Sequence, residues 1–333
     1  MKLKELSGKT IPAIGLGCMG MSEFYGSSND LQSVKLLHEA YELGYRHFDT
    51  ADMYGRGHNE QLLASFLSET SHECREKIIV ATKAGIVRDD KDKYAISFNN
   101  GRDYLKKACE DSLKRLNIEY IDLYYLHRLI PGQDVEEVIS TFMELIKEGK
   151  IRTIGLCEVD AATLEKANKI HPIAALQSEY SLWTREIEAS VLPMCEKLGV
   201  SLVAFSPLGR GFLTGAVTKQ MLSESNNDDL RSRLPRFNGD NFEKNGELLI
   251  RLDEVAQSLD ISKSQLALSW ILAKSEKIHI IPGTRKSHYL QENFESQKVD
   301  LTAETQALLE EIFDADNIFG ARYPSAINPS NNR

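Results

Sequence analysis

Short apolar runs alternate along the chain with longer segments whose apolar residues recur every three or four positions. Eight such runs stand out: Ala13 to Cys18, Tyr45 to Thr50, Ile78 to Thr82, Ile121 to His127, Thr153 to Cys157, Ile173 to Ser178, Leu202 to Ser206 and Ile278 to Pro282. Each is short, continuous and rich in aliphatic or aromatic residues, the pattern of strands buried on both faces. Helical periodicity fills the intervals. Leu31 to Leu43 places Val34, Leu37, His38 and Tyr41 on one face and stops at Gly44; Gly101 to Leu116 does the same with Leu105, Ala108, Cys109, Ser112 and Leu116. Further helices are predicted over Asn59 to Leu67, Val135 to Ile146, Ala161 to Ile170, Ile187 to Leu198, Glu247 to Leu259 and Ser264 to Ala273. Strand followed by helix, eight times, predicts a parallel sheet closed into an α/β (β/α)8 barrel. A doubly wound open sheet is the competing arrangement, but Gly15-Leu16-Gly17 runs on as Cys18-Met19-Gly20 and lacks the third glycine and helix start of a dinucleotide-binding turn.

No internal linker is visible, so one domain is expected: a hairpin over about 1–12, the barrel over about 13–313 and a tail over 314–333. The hairpin rests on Ser7-Gly8-Lys9 between Leu3 to Leu6 and Thr10 to Pro12, and could plug one end of the barrel. Three connections are long: Ile86 to Asn100, Gly209 to Gly246, and the stretch after Asp314. Long loops in a compact domain are usually lids or mobile segments, and the tail from Pro324 is expected to be flexible at its end. The acidic stretch Asp89-Asp90-Lys91-Asp92 reads as a solvated loop.

Charge narrows the function classes. The 333 residues carry 40 basic and 49 acidic side chains, a net −9, which argues against a general nucleic-acid binder. No apolar stretch is long enough for a membrane span, and Met1-Lys2-Leu3-Lys4-Glu5 has no signal core, so no membrane association and a cytoplasmic location are expected. Five scattered cysteines (18, 74, 109, 157 and 195) suggest reduced thiols, and His171, His279 and His288 have no metal-ligand spacing. Oligomeric state is not legible.

In such a barrel, active-site groups sit at the C-terminal ends of strands. The second run ends in Asp49, with Tyr54 shortly after; the third ends in Lys83, the fourth in His127-Arg128, the fifth in Cys157-Glu158, the sixth in Gln177-Ser178-Glu179-Tyr180. The seventh leads into Phe205-Ser206-Pro207-Leu208-Gly209-Arg210-Gly211, and the eighth into Gly283-Thr284-Arg285-Lys286. Asp, Tyr, Lys and His on one rim can perform acid catalysis on a carbonyl. A lysine beside a tyrosine oxygen favours the phenolate and lowers the tyrosine pKa, an aspartate keeps the lysine charged, and a histidine orients the carbonyl.

Asp49, Tyr54, Lys83 and His127, in this order and on these strands, resemble the catalytic tetrad of the aldo-keto reductases. The likeness extends through Gly15-Leu16-Gly17, Tyr45 to Ala51, Gln177 to Leu182, Ser206 to Gly211 and Ile281 to Lys286, from about Leu6 to about Phe313. It is closest to the plant, fungal and bacterial branch that includes perakine-reductase-like enzymes. The resemblance implies NADPH/NADP+ bound across the barrel mouth and a small-molecule carbonyl substrate. It implies nicotinamide contacts at Cys157, Glu158, Gln177 and Phe205, a pyrophosphate loop at Ser206, Leu208, Gly209 and Arg210, and a 2′-phosphate site at Gly283, Thr284, Arg285 and Lys286. Glu292 and Asn293 match adenine contacts, and Phe24, Tyr25 and Trp183 the substrate pocket. Two departures stand out: Cys157 replaces the usual Ser or Thr, a weaker donor, and Phe205 replaces a frequent Tyr.

Singly, these residues have structural explanations too. Asp49 and Glu158 could cap helices, His127 could be a core histidine, Arg285-Lys286 a solvated pair, and Trp183 a core residue. Two other functions share the barrel. A cofactor-holding regulatory subunit would keep the tetrad with little turnover. A glycosidase would need paired acids, for which Asp49 and Glu158 make a weak case.

Overall fold

The computed structural model describes residues 2–89, 91, 95–224 and 229–324. Asp90 and Asp92 of the acidic stretch, residues 225–228 of the Asn-rich connection and the tail beyond Pro324 lie outside the described residues.

All eight expected runs form one parallel sheet: β3 (Leu16–Gly17), β4 (His47–Asp49), β5 (Ile79–Ala84), β8 (Ile121–Leu126), β9 (Ile151–Cys157), β10 (Ile173–Glu179), β11 (Ser201–Phe205) and β12 (Ile278–Ile280), neighbours in that order. The sheet closes on itself through a parallel bridge between Ile14 and Ile280, with Gly15 N donating to Ile280 O at 2.8 Å. Glycine is required at this seam. A Cβ on Gly17 would stand 2.7 Å from Ile281 O, and one on Gly283 would stand 2.9 Å from Gly17 O. The Gly15-Leu16-Gly17 sequence therefore serves strand approach and not a phosphate-binding turn.

Ahead of the barrel, β1 (Leu3–Leu6) and β2 (Lys9–Pro12) form the expected hairpin, turning through Ser7 (φ 48°) and Gly8 (φ 76°). Its Leu6 and Ile11 pack with Ile79, Ala81, Leu123, Tyr125, Cys157, Ala175, Val203 and Ile281, so the hairpin plugs the interior. A second, larger core lies between the strands and the outer helices.

Those helices are α1 (Asp30–Leu43), α2 (His58–Ser68), α3 (His72–Lys77), α4 (Arg102–Leu116), α5 (Val135–Lys147), α6 (Ala161–Ile170), α7 (Val191–Leu198), α8 (Lys219–Glu224), α9 (Gly239–Ser258), α10 (Lys263–Lys274), α11 (Ser287–Glu295) and α12 (Ala303–Ile312). Local chemistry starts and stops them. Asn29, Asp134 and Asp160 accept from first-turn amides, Ser262 and Gln265 form a reciprocal capping box, and Gly44 and Gly199 end their helices in the left-handed region. The buried stripe of α1 is Ser33, Leu36, Leu37 and Ala40, rotated from the expected one; Val34 and Tyr41 sit at its margin.

The connection from Ile86 to Asn100 contains a small antiparallel pair, β6 (Ile86–Arg88) with β7 (Ile96–Phe98), that the sequence reading leaves as loop. No helix among the described residues is long and apolar enough to cross a membrane.

Candidate active site

The four tetrad positions converge at the C-terminal end of the barrel. Asp49 closes β4, and Lys83 points inward from β5, where both are buried. Lys83 Nζ donates to Asp49 Oδ1 at 2.5 Å and to Thr50 O at 2.7 Å; Gln177 Nε2, from β10, donates to Asp49 Oδ2 at 2.7 Å. Asp49 caps no helix: both its oxygens are spent on these two donors.

Tyr54 is held over the lysine by a short turn of unusual backbone. Gly55, Arg56 and Gly57 all have positive φ (53°, 54° and 90°), and a Cβ on Gly57 would meet Arg115 Cδ at 2.4 Å. Arg115 Nε in turn donates to buried Glu60 at 2.5 Å, and Glu60 accepts from Thr82 Oγ1 at 2.7 Å, one residue before Lys83. On the other side Glu23 accepts from Gly55 N (2.8 Å) and Arg88 Nη1 (2.7 Å). The turn is thus fastened to β5, α4 and β6.

Lys83 Nζ stands 5.3 Å from the Tyr54 ring centroid, and His127 meets that ring edge-on at 6.0 Å. Burial pushes the Tyr54 hydroxyl up to about 12, although the Lys83 charge pulls the other way. The sequence reading expected a lowered value; in this site desolvation wins over the cation, and Tyr54 stays a protonated donor. Burial, Lys83 and Arg128 hold the His127 imidazole well below the ordinary histidine range, so it is neutral. Its Nδ1 has no partner among the described residues. Burial alone would lower Lys83, but Asp49 and Tyr54 outweigh it and keep the ammonium charged.

A cavity of about 560 Å³ opens from Asp49, Tyr54 and His127 to Arg285, Lys286, Tyr289 and Asn293 at the far side of the rim. Of the expected binding residues, Phe24, Tyr25, Gln177, Phe205, Ser206, Leu208, Arg210, Gly283, Thr284, Arg285, Lys286 and Asn293 line it. Five do not. Trp183, expected in the substrate pocket, is 2% exposed and stacks on Phe212 at 4.2 Å between centroids; it is a core residue. Gly209, with φ 56°, packs beneath it, where a Cβ would lie 2.6 Å from Trp183 Nε1. Cys157 turns into the barrel interior, and burial pushes its thiol up to about 12, so it remains un-ionised. Glu158 accepts from Glu179 N at 2.7 Å and pairs with Arg322, and α6 is capped by Asp160 instead. Glu292 accepts from Ser262 Oγ at 2.5 Å, tying α11 to the start of α10.

Residues outside the expected set complete the walls. Met53, Ile86 and Ile96 come from the turn after β4 and the small hairpin, Arg128 follows His127, and Tyr323 and Pro324 come from the tail. Arg128 stood in the sequence at a strand end, where its placement was legible; the tail residues gave no local signal. The tail is anchored by ions: Arg322 Nε lies 3.2 Å from Glu179 Oε2, and Arg210 Nη2 donates to both Glu179 Oε2 and Tyr323 Oη at 2.9 Å. Across the mouth, Leu230 N donates to Phe24 O at 3.0 Å, joining the first and seventh strand-end loops. Arg285 donates to Ser27 O (2.5 Å) and Tyr25 O (2.9 Å), so its guanidinium also clamps the first loop.

The profile of the aldo/keto reductase family matches residues 13–314. An aldo-keto reductase of Schizosaccharomyces pombe, yakc [NADP(+)], is 38% identical over 324 residues, spanning 96% of this chain and 94% of that one. A probable aldo-keto reductase of Glycine max is 37% identical over 326 residues, spanning 96% and 91%. Among solved structures, the glycerol dehydrogenase of Gluconobacter oxydans superposes with a TM-score of 0.83 at 27% identity, covering 93% of this chain and 94% of its own. A match that runs through the whole barrel, with relatives aligned nearly end to end, places this chain in the aldo/keto reductase family.

Proposed function

We propose that the protein is an NADPH-dependent reductase of aldehydes or ketones, with Tyr54 as the proton donor. The observation that carries this reading is the buried Asp49–Lys83 pair beneath Tyr54 and a neutral His127, with Asp49, Tyr54 and His127 lining one cavity. The cavity fits an extended dinucleotide. It reaches from the tetrad to a basic pair, Arg285 and Lys286, past the seam where Gly17 and Gly283 let the two strand ends approach closely. The fission-yeast relative, which carries NADP(+) in its name, agrees.

Gln177 and Phe205 would hold the nicotinamide end, Ser206, Leu208 and Arg210 the middle, and Thr284, Arg285 and Lys286 the 2′-phosphate. Glu158 is excluded from direct contact by its bonds to Glu179 and Arg322, and the Arg210 side chain is committed to Glu179 and Tyr323. When bound, NADPH supplies the hydride. Tyr54 then gives its proton to the carbonyl oxygen and regains one from solvent. Lys83 stabilises the phenolate left behind, and Asp49 keeps Lys83 charged and in place. His127, being neutral, donates a hydrogen bond to the carbonyl without competing as an acid.

Steady NADPH consumption with 4-nitrobenzaldehyde tests the reading. Many turnovers per protein support it; a single turnover that then stops would leave a protein that holds the cofactor and reports on it.

A further inference from the structure

Met53, Ile86 and Ile96 give the cavity an apolar stretch of wall, and Arg128, the residue after His127, lines the same cavity. Other arginines on the wall are already engaged, Arg285 with the backbone carbonyls of Ser27 and Tyr25 at the far rim. Arg210 is paired with Glu179 and Arg231 with Asp229, at 2.9 and 2.5 Å. Arg128 makes one side-chain bond, from Nη1 to His127 O at 2.6 Å, and no carboxylate lies within ion-pair reach of it among the described residues. A guanidinium carries five N–H donors in a planar fork, so most of its donors remain for another partner.

Its backbone is fixed. Asn100, itself 2% exposed, donates to Arg128 O at 3.0 Å and accepts from Ile130 N at 2.8 Å, pinning the backbone on both sides of Leu129. Its charge acts on the reacting end, drawing the Tyr54 and Cys157 values down and holding His127 neutral. A half-buried guanidinium with free donors, standing beside the reacting groups, is open to an anionic partner from the cavity.

We infer that Arg128 is a substrate-anchoring residue, and that the preferred substrates are aldehydes or ketones that carry a carboxylate a few bonds from the carbonyl. The inference rests on the reductase reading above and names its substrate class. The carboxylate lies in the fork of Arg128, a planar match that a lysine or a neutral residue does not reproduce. The apolar wall takes the carbon frame between the two ends. The anchored group is a spectator: the carbonyl carbon gains the hydride, its oxygen gains the Tyr54 proton, NADPH becomes NADP+, and the carboxylate leaves unchanged.

The test compares 2-, 3- and 4-carboxybenzaldehyde with their methyl esters, each with NADPH, in wild type, Arg128→Met and Arg128→Lys. The quantity read is the ratio of kcat/KM for the acid to that for its ester, which divides out any general loss of activity or folding. In wild type at least one isomer should show a ratio of about ten or more, carried by KM. The ratio should fall to within about twofold of unity in Arg128→Met and recover partly in Arg128→Lys. A wild-type ratio at or below unity for all three isomers overturns the anchor, as does an unchanged ratio in Arg128→Met. Absence of turnover with acids and esters alike would instead strike the reductase reading.

Discussion

Tyr54 shows how one side chain is tuned by competing terms. Its hydroxyl lies beside a buried ammonium, which favours the phenolate, yet burial outweighs that charge and keeps the proton on. His127 is held neutral by the same burial and by Lys83 and Arg128. Raising pH removes the Tyr54 proton only near about 12, and lowering it charges His127 only well below the usual histidine range. Hence kcat/KM for carbonyl reduction should stay within about threefold from roughly pH 6 to 9. A pH–rate profile checks this; an acid limb with a midpoint near 6.5 would mean that His127 titrates freely.

At the scale of elements, the eight strands were legible because each is buried on both faces, and burial on both faces writes a continuous apolar run such as Leu202 to Phe205. The convergence of Asp49, Tyr54, Lys83 and His127 was legible because each stands at or just after a strand end, where barrel side chains gather. What escaped follows a different rule. The strands Ile86–Arg88 and Ile96–Phe98 are three residues each and largely half-exposed, so no run marks them. Tyr323 reaches the cavity through ion pairs of Arg322 and Arg210 with Glu179, contacts between parts of the chain remote in sequence. Trp183 went the other way: its stack on Phe212 comes from the loop after β11, and nothing local separates a core tryptophan from a pocket one. Arg285 doubles as a clamp on Tyr25 and Ser27, while Lys286 is exposed on the cavity rim, with Nζ 5.5 Å from the Tyr289 ring centroid. Lys286→Ala should weaken NADPH binding by roughly tenfold and leave NADH within about twofold. Fluorescence titration of both cofactors decides; an equal loss for both would make Lys286 structural.

At the scale of the whole molecule, the closed barrel and its plug bury three histidines in the neutral form. Burial holds His47 and His279 down to about 3, and His127 well below its ordinary value. Unfolded histidines take up a proton near pH 6.5, so below that point the unfolded state binds more protons and stability falls as pH falls. Asp52 opposes this. Burial and Glu60 push its carboxyl up to about 8, so it is protonated when folded and releases its proton on unfolding in the same range. Three uptakes against one release leave a net uptake of about two protons. The melting temperature should therefore drop by roughly 5 to 10 °C between pH 6.5 and 5. A calorimetric series measures it, and a melting temperature that rises on acidification would contradict the buried-neutral assignment.

The proton donor is the centre of the proposed chemistry, and removing one oxygen tests it. Single-turnover reduction of 4-nitrobenzaldehyde by Tyr54→Phe, at saturating NADPH, should be slower than wild type by about 10²- to 10⁴-fold, with the NADPH dissociation constant unchanged within about twofold. The same rate as wild type, within about a factor of two, would show that the proton comes from another group and that the tetrad does not act as described.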